Sequence, residues 1–255
     1  MRGLTDKVAL VAGGGAIGAA TALRLAEEGC NVMLGDIEGD RAQADAREIA
    51  DATGREVVAH AYDQGDEQSI RDLVETTASR FGRLDFVHAN AAELLLARSG
   101  RDDDAVNTDM EVFDRAMEVN LRGFVLCTRF AMPHLTRQGG AIVYTGSGSS
   151  YIGEPTRFSY AVSKSAISTL MRHVATRWGP EMVRANVVAP GFVMGRRDPA
   201  TLTPDFMDMV TANQRIPVIG EGRHIAAMVA HLFSDDGEWI TGQVISVDGG
   251  STIRA

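Results

Sequence analysis

Short apolar runs recur along this chain at near-regular intervals, and a stretch with helical spacing follows most of them. Val8-Ala9-Leu10-Val11-Ala12 reads as a buried strand, and the pattern then predicts a helix from Ala16 to about Glu28. The same reading places strands at 31–35, 57–61, 84–88, 141–145, 183–188 and 244–247, and helices at about 40–52, 67–80, 109–137 and 157–178. Apolar runs without polar alternation suit strands covered on both faces, as in parallel sheets. Strands separated by helices imply right-handed crossovers. The expected fold class is therefore α/β: one doubly wound, mostly parallel seven-stranded sheet with helices on both faces. No repeat, low-complexity tract or linker divides the chain, so residues 1–255 read as a single domain. The longest irregular stretch, 191 to about 204, is flanked or interrupted by Pro190, Pro199 and Pro204 and reads as a mobile loop.

Composition narrows the function classes. A net charge of −9 and a pI near 5.2 offer no basic face for a phosphate backbone, so no nucleic-acid partner is expected. Cys30 and Cys127 sit in apolar settings and read as small core residues in a reducing compartment, with no disulfide framework and no metal site. No apolar run approaches the ~20 residues that span a bilayer, and residues 1–7 lead into the first strand without an apolar leader. A cytoplasmic protein without a membrane partner is the expectation.

The first strand runs into Gly13-Gly14-Gly15-Ala16-Ile17-Gly18, a Gly-x-Gly-x-x-Gly pattern that also opens a helix. In that context Gly13 permits a tight turn, Gly15 lets a pyrophosphate approach the backbone, and Gly18 allows close helix–strand packing. Free N–H groups and the positive helix end then face the phosphates. Asp36 ends the second strand, eighteen residues beyond Gly18. An acid there would hydrogen-bond the adenosine ribose hydroxyls and repel a 2′-phosphate, which points to NAD.

A second constellation lies past the middle of the chain. Tyr160 and Lys164 are one helical turn apart and emerge on one face. A phenol ordinarily ionises near pH ~10, and a neighbouring ammonium favours the phenolate. The pair thus makes a proton shuttle, with the alternative of a solvated lysine beside a half-buried tyrosine. Ser147, thirteen residues before Tyr160 and just past a strand, is available to hydrogen-bond the oxygen that gains or loses the proton. Ser149 and Ser150 compete for that role, and spacing favours Ser147.

In this order, over essentially the whole length, these elements resemble the short-chain dehydrogenase/reductase family, and the resemblance makes the domain Rossmann-type. It implies a tetrad of Asn120, Ser147, Tyr160 and Lys164, with Lys164 also bonding the nicotinamide ribose and Asn120 holding a water that links Lys164 to solvent. It places Asp63, with Gln64, at the adenine and aligns Asn90 and Ala91 with the element after the fourth strand. Pro190-Gly191 follows the sixth strand, and backbone near Val193 would hold the carboxamide. The run Ile240 to Gly250 matches as well. Departures are Ala12 in place of a threonine in a turn one residue shorter, a partial Asn-Asn-Ala-Gly element, and Met194-Gly195 in place of a threonine.

The implied reaction is reversible hydride transfer between a secondary alcohol, or its ketone, and NAD. Tyr160 moves the proton and Ser147 stabilises charge on the oxygen. Rival readings are an NADPH-dependent carbonyl or 3-oxoacyl-thioester reductase, opposed by Asp36 and by a turn without Arg or Lys, and a non-catalytic dinucleotide sensor, opposed by the intact tetrad. A lid at about 192–215 carries Phe192, Met194, Phe206, Met207 and Met209, suited to a neutral, fairly apolar substrate. Glu93 and Glu154 have two readings, acids that face the substrate or solvated rim acids, and the second is favoured for each. Apolar positions on the two long helices (Phe124, Leu126, Phe130; Ile167, Leu170, Met171) exceed what one sheet is expected to cover. With the resemblance, they imply a homotetramer or homodimer.

Overall fold

The computed structural model describes residues 1–94, 99–195 and 203–253. Its centre is a sheet of seven parallel strands: β1 (Val8–Ala12), β2 (Asn31–Asp36), β3 (Val57–Ala61), β4 (Phe86–Ala89), β5 (Gly140–Thr145), β6 (Val183–Pro190) and β7 (Val244–Val247). Their order is β3-β2-β1-β4-β5-β6-β7, so the winding reverses between β1 and β4. Helices α1 (Gly15–Glu27), α2 (Gly39–Thr53), α3 (Glu67–Phe81), α4 (Met110–Met117), α5 (Gly123–Leu135), α6 (Phe158–Trp178), α7 (Pro204–Ala212) and α8 (Gly222–Phe233) complete the chain.

Strand side chains alternate between faces, and the core divides accordingly. Val8, Leu10 and Ala12 point into one cluster with Ile70, Leu73 and Val74 of α3, Phe124, Cys127 and Phe130 of α5, and Ile167 and Met171 of α6. Ala9 and Val11 point the other way, into a cluster with Leu25 of α1, Ala46 of α2, and Ile225, Val229 and Phe233 of α8. Each layer of three helices thus seals one side of the sheet.

That layering corrects the expectation of unpartnered helix faces. Phe124, Leu126, Phe130, Ile167 and Met171 are buried within one chain, and Leu170 packs partly buried on the same core. The reason is lateral: α5 lies between its neighbours and packs against α3 as well as the sheet. Val125 and Val162 are the apolar positions that α5 and α6 leave exposed among the described residues.

Three further differences have local causes. The helix expected over 109–137 is interrupted by a π turn at Glu118–Arg122, which separates α4 from α5. Part of the lid is ordered: Thr203 accepts from the Phe206 N–H at 3.3 Å and Pro204 occupies the first turn of α7, a start signal for a helix. Residues 196–202, including Pro199, lie outside the described residues. Finally, α8 is a helix that the strand-led reading leaves out, although Ile225, Val229 and Phe233 recur at helical spacing and all are buried.

Close approach at the start of α5 makes Gly123 a test of this packing. A Cβ there would lie 2.5 Å from the Gln64 carbonyl oxygen and 2.6 Å from its amide nitrogen. Gly123→Ala should cost about 1–3 kcal/mol by overpacking, and each kcal/mol lowers Tm by roughly 2–4 °C in a chain of this size. An unchanged Tm in calorimetry would show that Gln64 has room to move.

Candidate active site

The glycine turn lies at the carboxyl end of β1, beside the winding reversal, where open α/β sheets bind ligands. Gly13 has φ +115°, and a Cβ on it would meet the Ala91 nitrogen at 2.3 Å. A Cβ on Gly18 would meet the Gly13 carbonyl oxygen at 1.9 Å, so α1 leaves the turn at contact distance. Gly15, φ +66°, has nothing within 4 Å of its Cβ position, which leaves open space before the helix. The α1 N-terminus, with Ala16 and Ile17 in its first turn, has no side-chain cap and no acidic residue in that turn. Bare N–H groups, the positive helix end and open space together fit an anionic group such as a pyrophosphate.

Asp36 borders this cradle. One carboxylate oxygen accepts the Gly14 N–H at 2.8 Å and the other accepts the Glu38 N–H at 2.9 Å. Its negative charge is thereby fixed beside the turn. Asp63 accepts the Gly65 N–H at 2.7 Å and lies 3.6 Å from the Arg115 guanidinium. Gln64 as a residue is 5% exposed, and its side-chain oxygen accepts from the Tyr62 hydroxyl at 3.0 Å. Pro190 closes β6, Gly191 is pressed against Asp248, and Val193 bridges to Gly220, which also accepts the Met194 N–H at 2.7 Å.

Asn90 fastens the turn to the next strand. Its amide donates to the Gly13 and Gly14 carbonyls at 2.8 and 3.3 Å, and its oxygen accepts from the Thr145 hydroxyl at 2.8 Å. Thr145, having given its one proton, must accept from His88 Nε2 at 2.9 Å. His88 therefore carries a proton on Nε2, and Nδ1 has no partner among the described residues. Burial, and secondarily the nearby Lys164, pushes the imidazole down to about 3, in agreement with a neutral ring.

Lys164 is 1% exposed. Its ammonium donates to the Thr145 carbonyl at 3.0 Å and lies 5.0 Å from the Phe124 ring centroid and 6.0 Å from that of Tyr160. Desolvation pushes it down to about 7. Asn120 sits in the π turn, a helical irregularity frequent at functional sites. There it is fully buried, accepts the Glu93 N–H at 2.7 Å and donates to Ser163 Oγ at 3.2 Å, on the helix of Tyr160 and Lys164. Ser147 begins the turn after β5, so Asn120, Ser147, Tyr160 and Lys164 converge at the carboxyl ends of β4 and β5.

The start of α6 is built from afar. Arg157, at φ +64°, precedes the helix and supplies no cap. The carboxylate of Asp102, 3% exposed, accepts the N–H groups of Ser159 and Tyr160 at 2.8 and 3.1 Å. A negative charge also suits that helix end. Sequence reasoning does not find Asp102, because its partners are more than fifty positions away. It also misses His88 and Thr145, although a histidine inside an apolar strand is a usable signal. Glu154 is no solvated rim acid: its side chain is 14% exposed, pairs with Arg157 and accepts from Ser149. Among the described residues, no cluster of His, Cys, Asp or Glu could hold a metal ion, and no helix is long and apolar enough to cross a membrane.

Comparison with known proteins agrees with this geometry. A family profile described as enoyl-(acyl carrier protein) reductase matches residues 11–252. A probable short-chain type dehydrogenase/reductase of Bradyrhizobium diazoefficiens is 40% identical, covering 96% of this chain and 86% of its own. A short-chain dehydrogenase from Burkholderia cenocepacia in complex with NADP superposes with a TM-score of 0.87 at 31% identity, over 97% of this chain and 98% of that one. A 7α-hydroxysteroid dehydrogenase complexed with NADH and 7-oxo-glycochenodeoxycholic acid gives 0.88 at 28% identity, over 98% and 95%.

The buried ammonium has a measurable consequence. In the fold Lys164 holds its proton only below about pH 7, against 10.5 for an ordinary lysine. Between those values the unfolded chain binds more protons, so this group's contribution to stability rises with pH. The penalty is full below about pH 7 and gone by about 10.5. Lys164→Met should therefore melt above wild type below pH 7, with the gap closing toward pH 10. Equal melting temperatures throughout would mean that the ammonium is not desolvated.

Proposed function

The chain belongs to the short-chain dehydrogenase/reductase family, and from that membership we propose an NAD-dependent oxidoreductase that interconverts a secondary alcohol and its ketone. The observation that carries this reading is the convergence of Asn120, Ser147, Tyr160 and Lys164 beside a glycine turn with an open, uncapped helix end. A nicotinamide dinucleotide held on the glycine turn would supply the hydride acceptor or donor. Tyr160 takes the hydroxyl proton in oxidation and returns it in reduction. Ser147 bonds the same oxygen and stabilises its developing charge. Lys164, anchored on the Thr145 carbonyl at 3.0 Å, has two further ammonium protons for the ribose hydroxyls. Asn120 connects this group to solvent through a water.

Asp36 supports NAD over NADP, since a 2′-phosphate would approach a carboxylate already fixed beside the turn. The related structures hold NADH in one case and NADP in another, so the choice in this chain rests on its own residues. The substrate reading is a neutral, fairly apolar alcohol under a lid that includes Phe192 and Phe206, whose rings meet edge to face at 5.4 Å. A homotetramer or homodimer now draws on the family resemblance and on exposed Val125 and Val162. Two buried cysteines, both thiols pushed up to about 12 by burial, are compatible with a reducing cytoplasm.

Tyr160→Phe should lower kcat at least about 10²-fold, the low end for a positioned acid–base group, while cofactor binding persists. Near-normal turnover of a secondary alcohol by this variant would remove Tyr160 from the role. Wild-type protein should prefer NAD by roughly 30- to 160-fold, equivalent to 2–3 kcal/mol. Asp36→Ala should weaken NAD and narrow that gap, as read from titrations with both cofactors. Equal use of NADP by wild type would overturn the assignment.

A further inference from the structure

Ser147 does not stand alone in the cleft. It caps the short 3-10 turn Gly148–Ser150, accepting the Ser149 N–H at 3.2 Å, and this turn folds the Ser149 side chain back over it. The two hydroxyl oxygens are 3.1 Å apart, and Ser149 Oγ is 3.0 Å from a carboxylate oxygen of Glu154. The other carboxylate oxygen pairs with the Arg157 guanidinium, which lies 5.8 Å from the Tyr160 ring centroid. Ser147 and Ser149 are 9% and 8% exposed, so water competes weakly for these groups.

Proton counting fixes the direction of this chain. An ionised carboxylate only accepts, so Ser149 must donate to Glu154. Ser149 has then given its single proton and meets Ser147 as an acceptor. Ser147 consequently donates to Ser149 at rest. Its rotor is held until a substrate oxygen arrives. The Ser147 proton then turns to that oxygen and leaves the Ser149 hydroxyl, while the Ser149 N–H keeps its bond to Ser147 Oγ and the Ser149 hydroxyl, held on Glu154, anchors the turn that presents this N–H. Removing the carboxylate frees both rotors. Ser149 then donates to Ser147 as readily as it accepts.

We propose that Ser149 and Glu154 are positioning residues for the reaction, acting through Ser147, with Arg157 holding the Glu154 carboxylate at the end of the relay. This rests on the function proposed above. It extends that function by two side chains of which one, Glu154, would otherwise be a surface acid.

A double-mutant cycle tests it, because residues acting through a third lose their effect when that third is removed. Steady-state alcohol oxidation is measured for Ser149→Ala and Glu154→Gln, alone and in a Ser147→Ala background. NAD affinity and Tm are recorded for every variant. Ser149→Ala should lower kcat about tenfold and Glu154→Gln about threefold, with the NAD Kd unchanged within about twofold, as befits one charge-assisted hydrogen bond. Ser149→Thr, which keeps the hydroxyl, should recover at least half of wild-type kcat. In the Ser147→Ala background neither substitution should cost more than about a further twofold. Equal losses in both backgrounds, or failure of Ser149→Thr to restore kcat in a folded protein, would overturn the relay while leaving the proposed function standing. Absence of turnover by wild type with any secondary alcohol or ketone would overturn both.

Discussion

Holding an ammonium out of water at the carboxyl edge of the sheet constrains everything around it. Lys164 is surrounded by the end of β5, the Phe124 ring and the Tyr160 ring, and its hydrogen bond goes to the Thr145 carbonyl at 3.0 Å. An isolated buried cation is costly, and groups in that position shift toward neutrality. The surroundings answer with a carbonyl dipole and two aromatic faces, and among the described residues no carboxylate pairs with it. That choice leaves the group responsive: any ligand bringing hydroxyl acceptors to it adds the solvation that the free fold lacks. The same logic makes His88 neutral, since a second cation close to the first would be opposed by both burial and repulsion.

From Thr145 the arrangement spreads in two directions. Its carbonyl anchors Lys164, while its hydroxyl orders Asn90, and Asn90 in turn bonds the Gly13 and Gly14 carbonyls. One residue at the tip of β5 therefore joins Lys164 to the glycine turn without passing through α6. On the other flank, Asn120 ties the π turn to α6 through Ser163, and Asp102 ties the loop before α4 to the first N–H groups of α6. Tyr160 and Lys164 thus belong to a helix fixed at both its start and its side. A fixed position of this kind is what the proposed acid–base role of Tyr160 requires.

Features that depend on neighbouring residues along the chain were legible in the sequence. Six of the seven strands, the glycine turn and the Tyr160–Lys164 spacing all follow from local periodicity or from steric demands on glycine. β4 begins two residues later than the pattern suggests, because the carboxylate of Asp85 turns in to accept the Val8 N–H at 2.9 Å. What escaped is set by partners distant in the chain. Asp102 looks like one acid in an acidic run, yet it is 3% exposed. Glu154 reads as solvated until Ser149 and Arg157 are seen around it. The apolar residues of α5 and α6 look surplus in the sequence because a one-dimensional pattern does not say how many helices share one face of a sheet.

The π turn at Glu118–Arg122 has a consequence for how this chain tolerates change in length. A π turn holds one residue more than an α turn, and a residue advances an α-helix by about 100°. Deleting a single residue there would restore a regular helix with the faces of α4 and α5 unchanged, because five residues at the π spacing turn through about the angle that four cover in an α-helix. Asn120 would leave the position from which it reaches both Glu93 and Ser163. A helix surface elsewhere absorbs a substitution at any exposed position, but here the count of residues is itself under constraint. Lineages descending from this chain should vary in the letters at 118, 119, 121 and 122 more freely than in the number of residues that places Asn120.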